Sequence, residues 1–142
     1  MSLVDANVVL RYLLDDHAEL SAKATEIIEL QAVTLPMEAA CEVVYVLQKV
    51  YAVERKDIQR QLGALLNETL VSMEKPAVFL KGLECYSDSG LDFVDALLWA
   101  YHVVEKESVF TFDDKLNRYL QRAGGSLQAP SAQFAPESRK LT

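Results

Sequence analysis

The sequence is short of the residues that mark several kinds of protein. Its 142 residues include two cysteines, Cys41 and Cys85, too few and too far apart for a zinc cluster or a disulfide scaffold. Each lies among apolar neighbours, the usual setting of a small buried thiol. Only 5 Gly and 4 Pro interrupt a chain that is 51% hydrophobic and 25% charged, which excludes disorder, collagen and low-complexity linkers. No apolar run approaches the roughly 20 residues of a membrane helix, and no basic region with a cleavage pattern opens the chain. A reduced, cytoplasmic protein with no membrane partner is expected. Basic charge is scarce too. With 14 Lys+Arg against 21 Asp+Glu the net charge is −7, which argues against coating nucleic acid by broad charge attraction. It does not exclude an enzyme that concentrates carboxylates in one pocket to hold cations.

Familiar catalytic signatures are missing as well. There is no Gly-rich phosphate loop, no GxSxG elbow and no HExxH. His17 follows an acidic turn, and His102 has no Cys or His nearby, so both read as surface or packing residues. Serine and cysteine nucleophiles have no recognisable His base.

What is present is an alternation of short apolar runs with amphipathic stretches. Strands are expected at 3–5, 33–35, 69–73 and 109–112, the last a buried one. Helices are expected at 7–14, 18–31, 36–51, 54–67, 75–87, 92–105 and 113–123. The length fits one domain over 1–125, followed by an extended or mobile tail over 126–142, rich in Ser, Pro and Gln. Strands alternating with helices predict an α/β class, a mostly parallel sheet covered on both faces. Ligands of such sheets bind beyond the carboxyl ends of the strands, where Asp5 and Asp113 stand.

Other acids lie inside apolar runs: Glu42 in 39–47, and Asp95 in 91–99. A buried carboxylate needs a partner, a proton or a metal. Asp92 and Asp95 share a helical face, and so do Glu38, Glu42, Tyr45 and Lys49. Each acid has a plainer reading. Asp5, Asp92 and Asp113 suit helix N-caps, and the two stripes suit solvent-facing sides. Convergence of several carboxylates without Lys or Arg neighbours in sequence would instead favour Mg²⁺ or Mn²⁺, which take oxygen ligands and share them with substrate phosphates.

Four blocks in order, 4–11, 41–47, 91–97 and 111–113, together resemble PIN-domain ribonucleases, most closely VapC-type toxins of toxin–antitoxin pairs. The resemblance covers about residues 3–123. It implies a three-layer α/β/α sandwich around a short, mostly parallel sheet. It also implies an acidic pocket that uses one or two Mg²⁺ or Mn²⁺ ions to hydrolyse RNA phosphodiesters. By position, Asp5, Glu42, Asp95 and Asp113 match the catalytic acids, with Asp5, Asp95, Asp113 and Asp92 as metal ligands. Asn7 and Thr111 match supporting polar positions, and Arg11, Lys115, Arg118 and Arg122 are candidates for RNA phosphates. Ala6 stands where many relatives carry Thr or Ser. Implied partners are single-stranded RNA, a cognate antitoxin with a basic side chain for the pocket, and a second copy of the chain.

Two other readings fit the residues. A haloacid dehalogenase-type phosphatase would use Asp5 as nucleophile, but needs a second Asp where this chain has Asn7. A catalytically idle PIN-like binding module would use the acids only as helix caps.

Overall fold

Local chemistry sets most helix ends. The computed structural model describes residues 1–124, so the tail expected over 126–142 lies outside the described residues. Asp5 has extended backbone, and its Oδ1 accepts from the Val8 N–H at 3.1 Å, starting α1 (Ala6–Leu14). That helix stops at Asp15, a left-handed residue (φ 50°) whose N–H reaches the Arg11 carbonyl. His17 Nδ1 caps α2 (Ala18–Leu30) by accepting from Leu20 N–H at 3.1 Å. Pro36 precedes α3 (Met37–Lys49), α4 covers Arg55–Asn67, and Pro76 opens α5 (Pro76–Asp88). The set ends with α6 (Phe93–Glu105) and α7 (Asp114–Gly124).

The expected α/β class holds, with a smaller sheet than the sequence predicts. β1 (Ser2–Leu3) pairs in parallel with β2 (Val33–Thr34), Ser2 opposite Val33 and Leu3 opposite Thr34. The expected strand at 69–73 shrinks to one parallel bridge between Thr34 and Ser72. Its earlier donors are taken elsewhere: Leu70 and Val71 N–H bond back to the Leu65 carbonyl at the end of α4. All three parallel segments run toward one edge, and α1, α3 and α5 start just beyond it. Asp5 and Glu38 are carried to that edge.

The expected buried strand at 109–112 is not one. Among the described residues it joins no ladder, and Phe110 and Phe112 are 57% and 92% exposed, with Val109 and Thr111 half-buried. The segment alternates in burial as extended chain does, but its polar groups serve the next helix. Thr111 Oγ1 accepts from Asp113 N–H at 3.0 Å, and Asn117 Nδ2 donates to the Thr111 carbonyl at 2.9 Å.

The core fills the space between the sheet and the helices. Phe79 and Tyr86 of α5 both meet Phe93 of α6 edge-on, with centroids 5.7 and 5.6 Å apart. Gly82 lets the two helices close: a β-carbon there would stand 3.1 Å from Leu97 Cδ1. Arg55 then fixes the loop between them. Its Nη1 donates to the carbonyls of Tyr86, Ser89 and Leu91 at 3.0, 3.3 and 2.6 Å, and the guanidinium lies 4.2 Å from the Tyr86 ring centroid. Hydrogen bonds from a charged group contribute about 1.5–3 kcal/mol. Arg55→Met, which keeps the stem and loses the donors, is expected to cost about 2 kcal/mol. That lowers Tm by about 4–8 °C for a domain of this size, read by circular dichroism.

Candidate active site

Asp95 is the acid in the tightest electrostatic setting. It lies half-buried in the first turn of α6, three residues after Asp92 at the N-cap position. Burial pushes its carboxyl above the usual range, and the negative charges of Asp113 and Asp92 push it further. Residues from two segments distant in sequence are therefore close enough to repel. Asp113 is held by its own helix: Oδ1 accepts from Leu116 N–H at 2.8 Å. Asp114, its neighbour, is the first residue of α7, and its charge is not among those acting on Asp95. The Asp92 side chain makes no cap hydrogen bond. The Lys115 ammonium lies over Gly90, two residues before Asp92, so closely that a β-carbon there would lie 2.5 Å from Nζ.

Asp5 stands in a hollow of about 660 Å³ with Val4, Val8, Pro36, Glu38 and Ala39. Its cap bond occupies Oδ1, and no hydrogen bond from a described residue reaches its second oxygen. Glu42 is exposed one turn after Glu38, on the α3 face that also carries Cys41 and Tyr45. Cys41, Tyr45, Asp92 and Asp95 line a second hollow. α3 packs against both α1 and α6, and α6 against α7, a seam along which Glu38 shares the hollow of Asp5 while Cys41 and Tyr45 share that of Asp92 and Asp95. Asp5 and Glu42 are not among the charges acting on Asp95. Sequence reasoning did not single out Glu38 for the site, although its place one turn before Glu42 was a signal. Nothing in the sequence marked Arg55, which fixes the loop leading to Asp92.

The remaining candidates lie further out. Asn7 and Arg11 line a groove of about 300 Å³ with Lys23 and Leu20, and Arg11 is paired with Asp16 at 2.9 Å. Arg118 is exposed, and the Arg122 guanidinium stacks 4.6 Å from the Tyr119 ring centroid. His102 is buried, with Nδ1 2.9 Å from the Glu107 carbonyl, a packing residue. Burial raises both cysteine thiols above their ordinary pKa, as inert thiols require.

Among the described residues no three Asp, Glu, His or Cys side chains close around a metal position. The donor set is one of oxygen atoms, spread around an open seam. That fits Mg²⁺ or Mn²⁺ held by one or two carboxylates and several waters, and it does not fit an all-protein cage for Zn²⁺ or Ca²⁺.

The raised Asp95 pKa has a stability consequence with a definite sign. The folded chain binds this proton more tightly than the unfolded chain, whose carboxyl titrates near about 3.9. From there up through the raised folded value, the stability contributed by Asp95 falls as pH rises. At neutral pH its charge is a cost. Asp95→Asn is expected to raise the metal-free Tm by about 1–2 °C, since relieving a like-charge helical pair gains roughly 0.2–0.5 kcal/mol. Near pH 3, where both states are protonated, calorimetry should find no gain.

The family model described as PIN domain matches residues 2–120. No curated protein and no solved structure matches the chain.

Proposed function

The chain belongs to the PIN domain family, in general a family of nucleases, and from that premise we propose that it is a divalent-metal-dependent endoribonuclease. What supports this reading is Asp95, whose carboxyl is raised by burial and further by the charges of Asp113 and Asp92, with none of the three at ion-pair distance from a cation among the described residues. Asp95 and Asp113, with Asp5 across the seam, would hold Mg²⁺ or Mn²⁺, and Asp92 and Glu42 flank them. A bound ion supplies Lewis acidity and lowers the pKa of water at the scissile phosphate. The chain's own groups set the geometry. The cap bond from Leu116 N–H fixes one oxygen of Asp113 and leaves the other for a ligand, while Thr111 Oγ1 fixes the Asp113 backbone. Lys115 stands where it can meet a phosphate beside Asp92. Single-stranded RNA is the substrate, because an unpaired backbone can bend to bring one phosphate against the carboxylates.

The protein is the toxin of a VapBC-type pair, self-associates, and is silenced by an antitoxin that places a basic side chain among these carboxylates, a charge-assisted contact. Expression of the chain alone in a bacterial host is expected to arrest growth, and the Asp5→Asn form is not. Equal growth of both strains would remove the toxin role and leave the nuclease. The cap bonds at Asp5 and Asp113 favour a second reading, an idle binding module. Their responses to Mn²⁺ separate the two.

A further inference from the structure

Beside Asp95 lies a hollow of about 330 Å³ between the C-terminal half of α3 and the start of α6. One wall is a helical stripe of Cys41, Tyr45, Gln48 and Lys49, and the other is Val94 with the carboxylates of Asp92 and Asp95. Tyr45 is 61% exposed and Val94 55%, so an aromatic ring and a branched apolar side chain both present area to the solvent there. Gln48 adds an amide that can both donate and accept, and Lys49 adds a cation with no acid among the described residues at ion-pair distance.

We propose that this hollow is a nucleobase subsite, in which Tyr45 stacks on the base of a nucleotide flanking the cleaved phosphate. The chemistry of the walls is that of a nucleotide in complement. A ring offers a π-face to any base, an amide meets a base edge, and Lys49 takes the next phosphate. The carboxylates of the opposite wall repel phosphate from that side and leave the cleaved one at the metal side of Asp95. Without a neutral, flat group to cover it, Tyr45 would only expose apolar area beside a charged seam. A base is such a group, and stacking holds it without demanding one sequence.

The assignment rests on the ribonuclease reading, and its test separates the two. Binding is measured by fluorescence anisotropy with a labelled single-stranded oligonucleotide carrying 2′-O-methyl sugars, in Mn²⁺. Cleavage is measured on unmodified RNA of the same sequence. Tyr45→Ala is expected to weaken binding roughly five- to hundredfold and to raise KM by a similar factor, with kcat within about twofold. Tyr45→Phe, which keeps the ring, is expected to restore wild-type binding. Replacing one base at a time by an abasic sugar should weaken wild type at one position, and at that position should not weaken Tyr45→Ala further. The exposed position of Tyr45 predicts an unchanged Tm for both variants. Wild-type binding and cleavage by Tyr45→Ala, with cleavage still lost in Asp95→Asn, would overturn the subsite and leave the nuclease. Loss of self-association in Tyr45→Ala with unchanged RNA binding would also overturn it, by assigning the face to a second copy. Absence of RNA binding and cleavage in wild type would overturn both readings.

Discussion

Asp95→Asn and Asp113→Asn are each expected to slow metal-dependent cleavage of single-stranded RNA by roughly 10²–10³-fold or more, measured as kcat in saturating Mn²⁺. Both substitutions keep the shape of the side chain and remove its charge. Asp113→Asn retains an oxygen able to accept from Leu116 N–H, so the start of α7 is preserved while a ligand is lost. Asp95→Asn relieves repulsion from Asp113 and Asp92, so the variant is at least as stable as wild type when metal-free. A loss of activity is therefore a loss of chemistry and not of fold. Asp114→Asn is the control. It changes an acid of the same sign one residue along the chain, outside the group acting on Asp95, and should keep activity within about twofold. An inactive Asp114→Asn beside an active Asp113→Asn would move the fourth acid by one residue and break the geometry argued here.

The helices were legible in the sequence because each carries its own evidence. Apolar spacing, Pro36 before one helix and Pro76 at the start of another, and Asp at caps all act within a few residues, whereas His17, expected as a surface or packing residue, turned out to cap α2. The sheet was less legible because its strands are two residues long, too short for alternation to show. The run at 109–112 misled for a physical reason. Four consecutive apolar or β-favouring residues read as buried on both faces, yet burial depends on whether a neighbouring strand supplies the ladder, and here Thr111 and Asp113 spend their polar groups on α7. The site divides the same way. The pairing of Asp92 with Asp95 follows from helical spacing alone. The approach of Asp113 to that pair is tertiary; its place after an expected strand allowed for it, and the resemblance of four ordered blocks to a known family made it an expectation. Glu38 was visible as part of a stripe but not as a neighbour of Asp5, which depends on how α3 meets β1.

Millimolar Mn²⁺ or Mg²⁺ is expected to raise the Tm of the wild-type protein by several degrees, and this shift distinguishes a metal seam from a set of helix caps. Binding to the folded state alone at 100 times the dissociation constant adds about 2.7 kcal/mol, equivalent to about 5–11 °C for a domain of this size. Asp95 carries the repulsion that a cation would relieve, so Asp95→Ala should lose most of the shift while its metal-free Tm stays level or rises. Asp5 and Asp113 carry two duties. Each caps a helix through Oδ1, at 3.1 Å to Val8 N–H and 2.8 Å to Leu116 N–H. Their Ala variants should therefore lose about 1 kcal/mol of stability without metal, the usual cost of a lost cap, and lose the metal shift in addition. Caps alone would give the first loss and not the second, since a capped carboxylate that binds no ion responds to Mn²⁺ as weakly as any surface acid. A melting series on wild type, Asp5→Ala, Asp95→Ala and Asp113→Ala, with and without Mn²⁺, reads both effects at once. Equal metal shifts in all four proteins would show that the ion binds elsewhere, and a wild type that does not respond would leave the acids with capping as their function.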